Sequence, residues 1–324
     1  MGSVEQVILS PKSQNVCDDL TLGVGQLLKK VEENPDFQLT AQVKREFSNN
    51  FFMNHSGIRK DVKEVSDFDI GSLNDDHRIK VRLYSPHETR LEALIMCIHG
   101  GGWMQGNLDT HDCLCREMSE TLNAETIAVD YRLAPENIFP TPLNDVFSAY
   151  MWCRENYQGR DIIIAGDSAG GNLAAALCVK LHSEKRYAEK PSAQILFYPS
   201  LSNNFESKSF GKFANVAALS KIGTIMFTSQ YAGVGFDAVG SLNNKLIYPL
   251  QEDDVTAFPK TVIVSADCDV LLEEQEEFAA KLRNGGISVE HIVADGTVHG
   301  FMTYGREFQE EITDVLFRVK RLIP

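Results

Sequence analysis

The residue best placed to do chemistry in this chain is Ser168, in the pentapeptide Gly166-Asp167-Ser168-Ala169-Gly170. An apolar, β-branched run at 161–165 precedes it and predicts a buried strand, whereas the alanine-rich run at 172–181 that follows predicts a helix. A G-x-S-x-G sequence between a strand and a helix predicts a nucleophile elbow, a strained turn that exposes the serine hydroxyl. An ordinary glycine-rich turn is the alternative that the pentapeptide alone leaves open.

A second candidate element is the sequence His99-Gly100-Gly101-Gly102-Trp103, which directly follows a strand predicted at 91–98. Successive glycines let the backbone turn its N–H groups into an open pocket, where they can stabilise the oxyanion that forms during acyl transfer. Gly100, Gly101 and Gly102 are therefore candidates for an oxyanion hole. Trp103 either borders a small acyl pocket or simply packs in the core, and the sequence leaves both readings open.

Acyl transfer through a serine also needs a base, which must come from a later loop in the chain. His299 meets this need, because it lies in a loop predicted at 295–301, after a strand predicted at 289–294. His291 lies inside that strand and is expected to be structural. We therefore expect His299 to accept the proton of Ser168.

The acid that orients the base is expected after the preceding strand, predicted at 261–266. Asp267 and Asp269 both lie there, and spacing favours Asp269 without excluding Asp267. Glu273 and Glu274 are expected to begin the next helix and to interact favourably with its N-terminal dipole.

The elements that must position these residues alternate between strand and helix over most of the chain. The predicted parallel strands lie at 91–98, 126–130, 161–165, 193–198, 261–266 and 289–294. Helices are predicted to begin near Thr110, Pro142, Ala169, Leu271 and Glu307. An antiparallel hairpin is predicted at 65–70 and 79–84. This order predicts an α/β fold with a mostly parallel central sheet flanked by helices.

Two regions fall outside this alternation. Residues 1–60 show helical periodicity with a break at Pro35, and they predict an N-terminal helical cap. The segment 201–255 is too long for a structureless loop, and it is predicted to be an inserted cap element with a helix at 220–231. The catalytic domain is then expected to span 61–324.

Composition bounds the function further. The formal net charge of −14 argues against binding to nucleic acid or to anionic membranes, because both require a basic surface. The seven cysteines and eight histidines show no spacing typical of a metal site, and neither a metal nor a cofactor is expected. The first residues lack the pattern of a signal peptide, so a cytoplasmic location is predicted. The sequence is compatible with a monomer or a homodimer, and it does not identify a regulatory protein partner.

The motifs together resemble those of the hormone-sensitive-lipase-like branch of the α/β-hydrolases, and most closely those of bacterial acetyl esterases. The resemblance covers roughly residues 85–305. It is carried by His99–Trp103, by Asp130-Tyr131-Arg132-Leu133-Ala134-Pro135-Glu136 with Phe139-Pro140, by Gly166–Gly171, by His299-Gly300-Phe301 and by Gly106-Asn107-Leu108-Asp109-Thr110-His111-Asp112.

The resemblance implies an α/β-hydrolase fold and assigns several roles. A D-P-L-x-D/E pattern aligns with residues 269–273 and makes Asp269 the catalytic acid, with Val270 in place of the usual proline loosening the loop. By the same resemblance, the N–H groups of Gly101, Gly102 and Ala169 are the oxyanion donors. His99 is implied to orient the loop and not to act as the base.

The activity implied by the resemblance is that of a serine carboxylesterase acting on short acyl chains, from acetyl to about hexanoyl, in a small-molecule ester. A catalytically weak binding or regulatory protein of the same fold is the alternative from another class. Amidase or peptidase activity would use the same residues and also stays open.

Overall fold

The computed structural model of the chain describes residues 7–34 and 37–323. The predicted break at Pro35 and the pattern at residues 1–6 lie outside these ranges. The α-helices are α1 (Pro11–Glu33), α2 (Ala41–His55), α3 (Asp112–Leu122), α4 (Thr141–Asn156), α5 (Ala169–Ser183), α6 (Lys208–Lys212), α7 (Lys221–Ala232), α8 (Leu272–Asn284) and α9 (Gly305–Leu322). The strands are β1 (Glu64–Gly71), β2 (Arg78–Ser85), β3 (Leu94–Ile98), β4 (Thr126–Asp130), β5 (Ile162–Asp167), β6 (Ala193–Phe197), β7 (Lys260–Cys268) and β8 (Val289–Val298).

All eight strands form one sheet in the order β1-β2-β4-β3-β5-β6-β7-β8. The first two pairings, β1 with β2 and β2 with β4, are antiparallel, and every other pairing is parallel. The predicted mostly parallel sheet with an antiparallel hairpin is therefore confirmed. The order places β5, β6, β7 and β8 side by side, so their carboxyl ends meet along one edge.

The central strands form because their residues are apolar on both faces. Every residue of β3, β5 and β6 is buried, as expected for parallel strands covered by helices on both sides. Helix α5 follows β5 and is itself buried along most of its length, since its small alanine side chains allow close approach to the sheet. Within residues 7–34 and 37–323, no helix combines the length and the apolar character needed to cross a bilayer.

The structure corrects the predicted bounds of two strands. β3 begins at Leu94, three residues later than predicted. β8 continues to Val298, so residues 295–298 are strand and not the predicted loop. The polar segment is held in the sheet beyond a register shift between Ala266 and Cys268, where Cys268 pairs with Val298.

The regions predicted as caps contain helices close to the predicted positions. α1 and α2 lie in the N-terminal region, and α7 occupies 221–232, where the sequence predicted a helix at 220–231. The Ser13 hydroxyl at the start of α1 donates to the Gly296 carbonyl at 2.7 Å. α1, α2, α7 and residues 217–219 enclose an apolar cavity of about 520 Å³ that also reaches Met104 and Gln105. The division into cap and catalytic domain stays a prediction.

A buried ion pair fixes the chain after β4. Arg132 donates to Asp145 of α4 from its backbone N–H at 3.0 Å and from two guanidinium nitrogens at 2.9 and 2.7 Å. The Asp145 side chain is fully buried, whereas Arg132 also reaches the exposed Asp75 at 2.7 Å. The segment that resembles D-Y-R-L-A-P-E is thus anchored to a helix by its arginine.

Replacing Arg132 should therefore destabilise the fold. We expect Arg132→Met to lower the free energy of unfolding by about 3 kcal/mol, because it leaves the Asp145 carboxylate buried without its charge partner. Urea unfolding measures the change. Arg90→Met is the matched control, since Arg90 pairs with Glu88 at an exposed surface site and should cost less than about 1 kcal/mol. Equal losses in both variants would contradict the role of the buried pair.

Candidate active site

Ser168 lies on a tight turn between β5 and α5. Its backbone has a positive φ of 53° and a ψ of −116°, a conformation that side-chain-bearing residues rarely adopt. The flanking glycines permit this turn. A Cβ at Gly166 would contact the Gly170 carbonyl oxygen, and a Cβ at Gly170 would contact the carbonyl oxygens of Ile98 and His99. The elbow predicted from G-x-S-x-G is thus present, with the serine half-buried at its apex.

The structure brings Ser168, His299 and Asp269 into one hydrogen-bonded chain. The His299 Nε2 lies 2.8 Å from the Ser168 Oγ, and the His299 Nδ1 lies 2.7 Å from the Asp269 Oδ2. The Asp269 side chain is fully buried, and its Oδ1 accepts from the Leu271 N–H at 3.0 Å. Each of the three residues follows a strand, namely β5, β8 and β7, so the parallel order of the sheet gathers them at one edge.

The competing candidates have other partners. The Asp267 Oδ1 accepts from the Thr297 N–H at 3.0 Å, so this carboxylate fixes the end of β8. His291 lies within β8, and its Nε2 contacts the Ser265 hydroxyl at 2.8 Å. Neither residue belongs to the chain of contacts that reaches Ser168.

The glycine loop after β3 has an unusual backbone. Gly101, Gly102 and Trp103 have successive positive φ angles of 106°, 59° and 58°. The Gly101 carbonyl accepts from the N–H groups of Met104 and Gln105 at 3.1 and 3.0 Å, which closes the loop into a turn. The N–H groups of Gly101, Gly102 and Ala169 donate to no acceptor within residues 7–34 and 37–323. They therefore remain available as oxyanion donors.

Gly100 differs from the other glycines, and its predicted place among the oxyanion donors is wrong. Its N–H donates to the buried Asp167 Oδ1 at 2.8 Å, so it is engaged within the protein. Gly100 has another reason to be glycine, because a Cβ there would overlap the Asp167 carboxylate. It anchors the start of the loop to Asp167.

Asp167 and His111 form a buried polar pair that sequence reasoning did not assign. The His111 Nε2 lies 3.1 Å from the Asp167 Oδ1. Burial raises the pKa of Asp167, but His111, His99 and the Gly100 N–H outweigh it, so the pKa is lowered and the carboxylate is charged. Both residues lie inside motifs that carried the family resemblance, and that was the only available signal.

His99 is buried beneath the loop, as its predicted orienting role requires. Its Nδ1–H donates to the Gly100 carbonyl at 2.8 Å, and its ring stacks on Tyr131 with a centroid distance of 4.2 Å. The Tyr131 hydroxyl donates to the His99 carbonyl at 2.9 Å. Burial, followed by the nearby His111, lowers the pKa of His99 to about 3, so the ring is neutral. It has no contact with Ser168.

Trp103 packs as a core residue. It is 3% exposed, and its ring stacks on Tyr231 of α7 at a centroid distance of 4.6 Å and an interplanar angle of 4°. Trp103 does not line the apolar cavity between α1, α2 and α7. Phe227 of α7 also lies against the loop, because a Cβ at Gly102 would be 2.5 Å from a carbon of its ring. The sequence offered no signal for Phe227.

The two glutamates in the first turn of α8, Glu273 and Glu274, do more than face its N-terminal dipole. Glu273 accepts from the Lys208 N–H at 2.6 Å, and Glu274 accepts from the Leu201 N–H at 2.5 Å. Burial raises the pKa of Glu274 well above its usual range. Both contacts tie the segment after β6 to the start of α8, close to Asp269 in the chain.

Within the described ranges, no three His, Cys, Asp or Glu side chains group together as metal ligands.

A protein-family comparison agrees with this architecture. Residues 95–303 match the family described as alpha/beta hydrolase fold. The chain therefore belongs to the α/β-hydrolase fold family, in its hormone-sensitive-lipase-like branch.

Individual relatives carry names of ester hydrolases. The chain is 33% identical to the carboxylic ester hydrolase LipN of Mycobacterium tuberculosis over 69% of this chain and 61% of that protein. It is 29% identical to an ethyl acetate hydrolase of Pseudomonas putida over 80% of this chain and 82% of that protein. An ester hydrolase structure from the metagenome of Lake Arreo superposes with a TM-score of 0.81 at 27% identity, covering 97% of this chain and 98% of that one. The chain is thus a carboxylic ester hydrolase by family.

The buried, neutral His99 predicts a pH-dependent stability. An unfolded histidine has a pKa near 6.5, so below that pH the unfolded state binds a proton that the folded state, with its pKa of about 3, refuses. The stabilising contribution is therefore complete above about pH 6.5 and is lost as the pH falls towards 3. Between pH 7 and 4.5 we expect wild type to lose about 2.5 kcal/mol more unfolding free energy than His99→Asn. Urea titrations of both proteins at each pH measure this difference, and parallel curves would contradict it.

Proposed function

We propose that this ester hydrolase is a serine carboxylesterase in which Ser168 is the nucleophile, His299 the base and Asp269 the orienting acid. The observation that carries the proposal is the continuous chain of contacts at 2.8 and 2.7 Å from the serine oxygen to a buried carboxylate. This chain lies at the same sheet edge as the loop whose N–H groups are available. A nucleophile, a base, an orienting acid and donors are the parts that acyl transfer needs.

The reaction would proceed in two steps. His299 Nε2 takes the Ser168 proton while the serine oxygen attacks the ester carbonyl, and Asp269 stabilises the imidazolium. The N–H groups of Gly101, Gly102 and Ala169 would bind the tetrahedral oxyanion. The imidazolium returns its proton to the departing alcohol and leaves an acyl-enzyme. A water molecule, deprotonated by His299, then attacks the acyl carbon, and the proton returns to Ser168 as the carboxylic acid leaves.

We further propose that the acyl group is short, from acetyl to about hexanoyl. Two observations support this. Phe227 packs directly against the loop at Gly102, and one relative is named for the hydrolysis of ethyl acetate. A small-molecule ester as the substrate and a cytoplasmic location remain predictions from the sequence. The complete set of reacting groups makes a purely non-catalytic role the weaker alternative.

Substitutions at the reacting residues test the mechanism. Ser168→Ala should abolish hydrolysis of p-nitrophenyl butyrate with the fold intact by circular dichroism, since it removes the nucleophile. Asp269→Asn should lower kcat by roughly 10³- to 10⁴-fold, because the histidine loses its orienting carboxylate. Asp267→Asn is the matched control, since the asparagine oxygen still accepts from Thr297, and kcat should stay within about threefold. Activity near wild type in Ser168→Ala would refute the assignment.

A chain-length series tests the substrate class separately. Hydrolysis of p-nitrophenyl esters with acyl chains from C2 to C16 should show the highest kcat/KM between C2 and C6. The value should fall steeply for longer chains, because they would meet the ring of Phe227. A maximum at C10 or longer would overturn the short-chain proposal but leave the mechanism intact. No turnover at any length by folded protein would favour the binding or regulatory alternative.

A further inference from the structure

Helix α2 contacts the glycine loop through two polar side chains that have no part in the reaction above. The Arg45 Nε donates to the Met104 carbonyl at 2.7 Å. One turn later on the same helix face, the Asn49 Oδ1 accepts from the Gly106 N–H at 2.9 Å. The two contacts hold the loop on either side of Gln105.

The Arg45 guanidinium also contacts the segment after β4. Its Nη2 donates to the Ala134 carbonyl at 3.1 Å and pairs with the Glu136 carboxylate at 2.7 Å. Glu136 is half-exposed, so the ion pair alone stabilises little. The two carbonyl contacts are the more informative feature, because they join two stretches of backbone 30 residues apart through one planar group.

These contacts reach the candidate oxyanion donors through the backbone. The N–H groups of Met104 and Gln105 both donate to the Gly101 carbonyl, so fixing Met104 also fixes the peptide planes that follow Gly101. Gly106 packs against the start of the loop, where a Cβ would lie 2.6 Å from the Gly100 oxygen and 2.7 Å from the His99 Nδ1. Fixing Gly106 therefore holds the two ends of the loop together.

We propose that Arg45 and Asn49 are positioning residues that hold the Gly101 and Gly102 N–H groups in the geometry the oxyanion needs. This inference rests on the proposed serine esterase mechanism. Gly101 and Gly102 adopt positive φ angles freely, whereas Trp103, with a φ of 58°, is in a conformation that persists only when surrounding contacts enforce it. Since an error of about 1 Å in such a site can cost about 100-fold in rate, loosening the loop should slow the chemistry more than binding.

Paired variants test the proposal. Arg45→Met removes both carbonyl contacts, and Asn49→Leu removes the acceptor for Gly106. We expect each to lower kcat for p-nitrophenyl butyrate by about 10- to 100-fold, with KM within about threefold of wild type. Asn49→Asp keeps an acceptor oxygen and should stay within about threefold in kcat. Gln42→Met, on the exposed face of α2 where Gln42 pairs with Glu46, is the control and should match wild type.

A transition-state analogue separates positioning from simple loss of folded enzyme. A trifluoromethyl ketone forms a tetrahedral adduct whose oxyanion needs the same N–H groups, so its inhibition constant should rise in proportion to the fall in kcat/KM across the variants. Loss of folded protein would lower kcat per total enzyme but leave the inhibition constant unchanged. The latter result would overturn the proposal.

Three further outcomes would also overturn it: kcat within twofold of wild type in both Arg45→Met and Asn49→Leu, a rise in KM alone, or an equal loss in Gln42→Met. If Arg45→Met does not fold, the comparison of Asn49→Leu with Asn49→Asp decides. Failure of the proposed function would be distinguishable, because wild type and Gln42→Met would then also lack Ser168-dependent turnover.

Discussion

The approach of α5 to β3 at Gly170 is the constraint on which the rest of the site depends. There is no room for a side chain at Gly170, because a Cβ would overlap the carbonyl oxygens of Ile98 and His99. β3 and β5 are neighbouring parallel strands with Ile98 opposite Gly166, so the serine turn and the glycine loop begin side by side. The separation of Ser168 from the N–H groups of the glycine loop is therefore set by backbone packing and not by flexible side chains, which suits the preorganised site that we propose.

The glycine loop is held at both ends by different kinds of interaction. At its start, a buried and charged Asp167 accepts from the Gly100 N–H beside His111. A buried carboxylate charge is costly, and removing the Gly100 N–H or His111 would leave the charge of Asp167 less compensated. At its end, polar side chains of α2 bind the backbone near Gly106. Between these anchors Gly101 and Gly102 take positive φ angles that glycine allows, and Trp103 takes one that is unfavourable for a residue with a side chain.

Local patterns predicted the sheet well and pointed to Ser168, Asp269 and His299, which the structure brings together, whereas long-range contacts could not be read from them. The buried parallel strands read as apolar runs, and the turn at Ser168 is encoded within five residues. Gly100 was misjudged because its donor role depends on a carboxylate 67 positions away. The contacts of Arg45 with the backbone could not be read at all, since the acceptors there are carbonyl groups that any residue carries. Residues 295–297 look like a turn and lie in an irregularity of the strand, but pairing with β7 resumes at Val298, which only the neighbouring strand reveals.

The acid loop shows how tertiary contacts can replace a residue that the resemblance expects. A proline before Leu271 would restrict the backbone next to Asp269, and its replacement by Val270 predicted a looser loop. In the structure Val270 is buried, and its carbonyl accepts from the Ser209 hydroxyl of α6 at 2.6 Å. The same hydroxyl accepts from the Glu273 N–H at 3.3 Å, so one serine of α6 bridges both sides of the loop. Helix α6 therefore restrains the loop that carries Asp269 where a proline ring would otherwise do so, and the region after β6 helps to hold Asp269 in position.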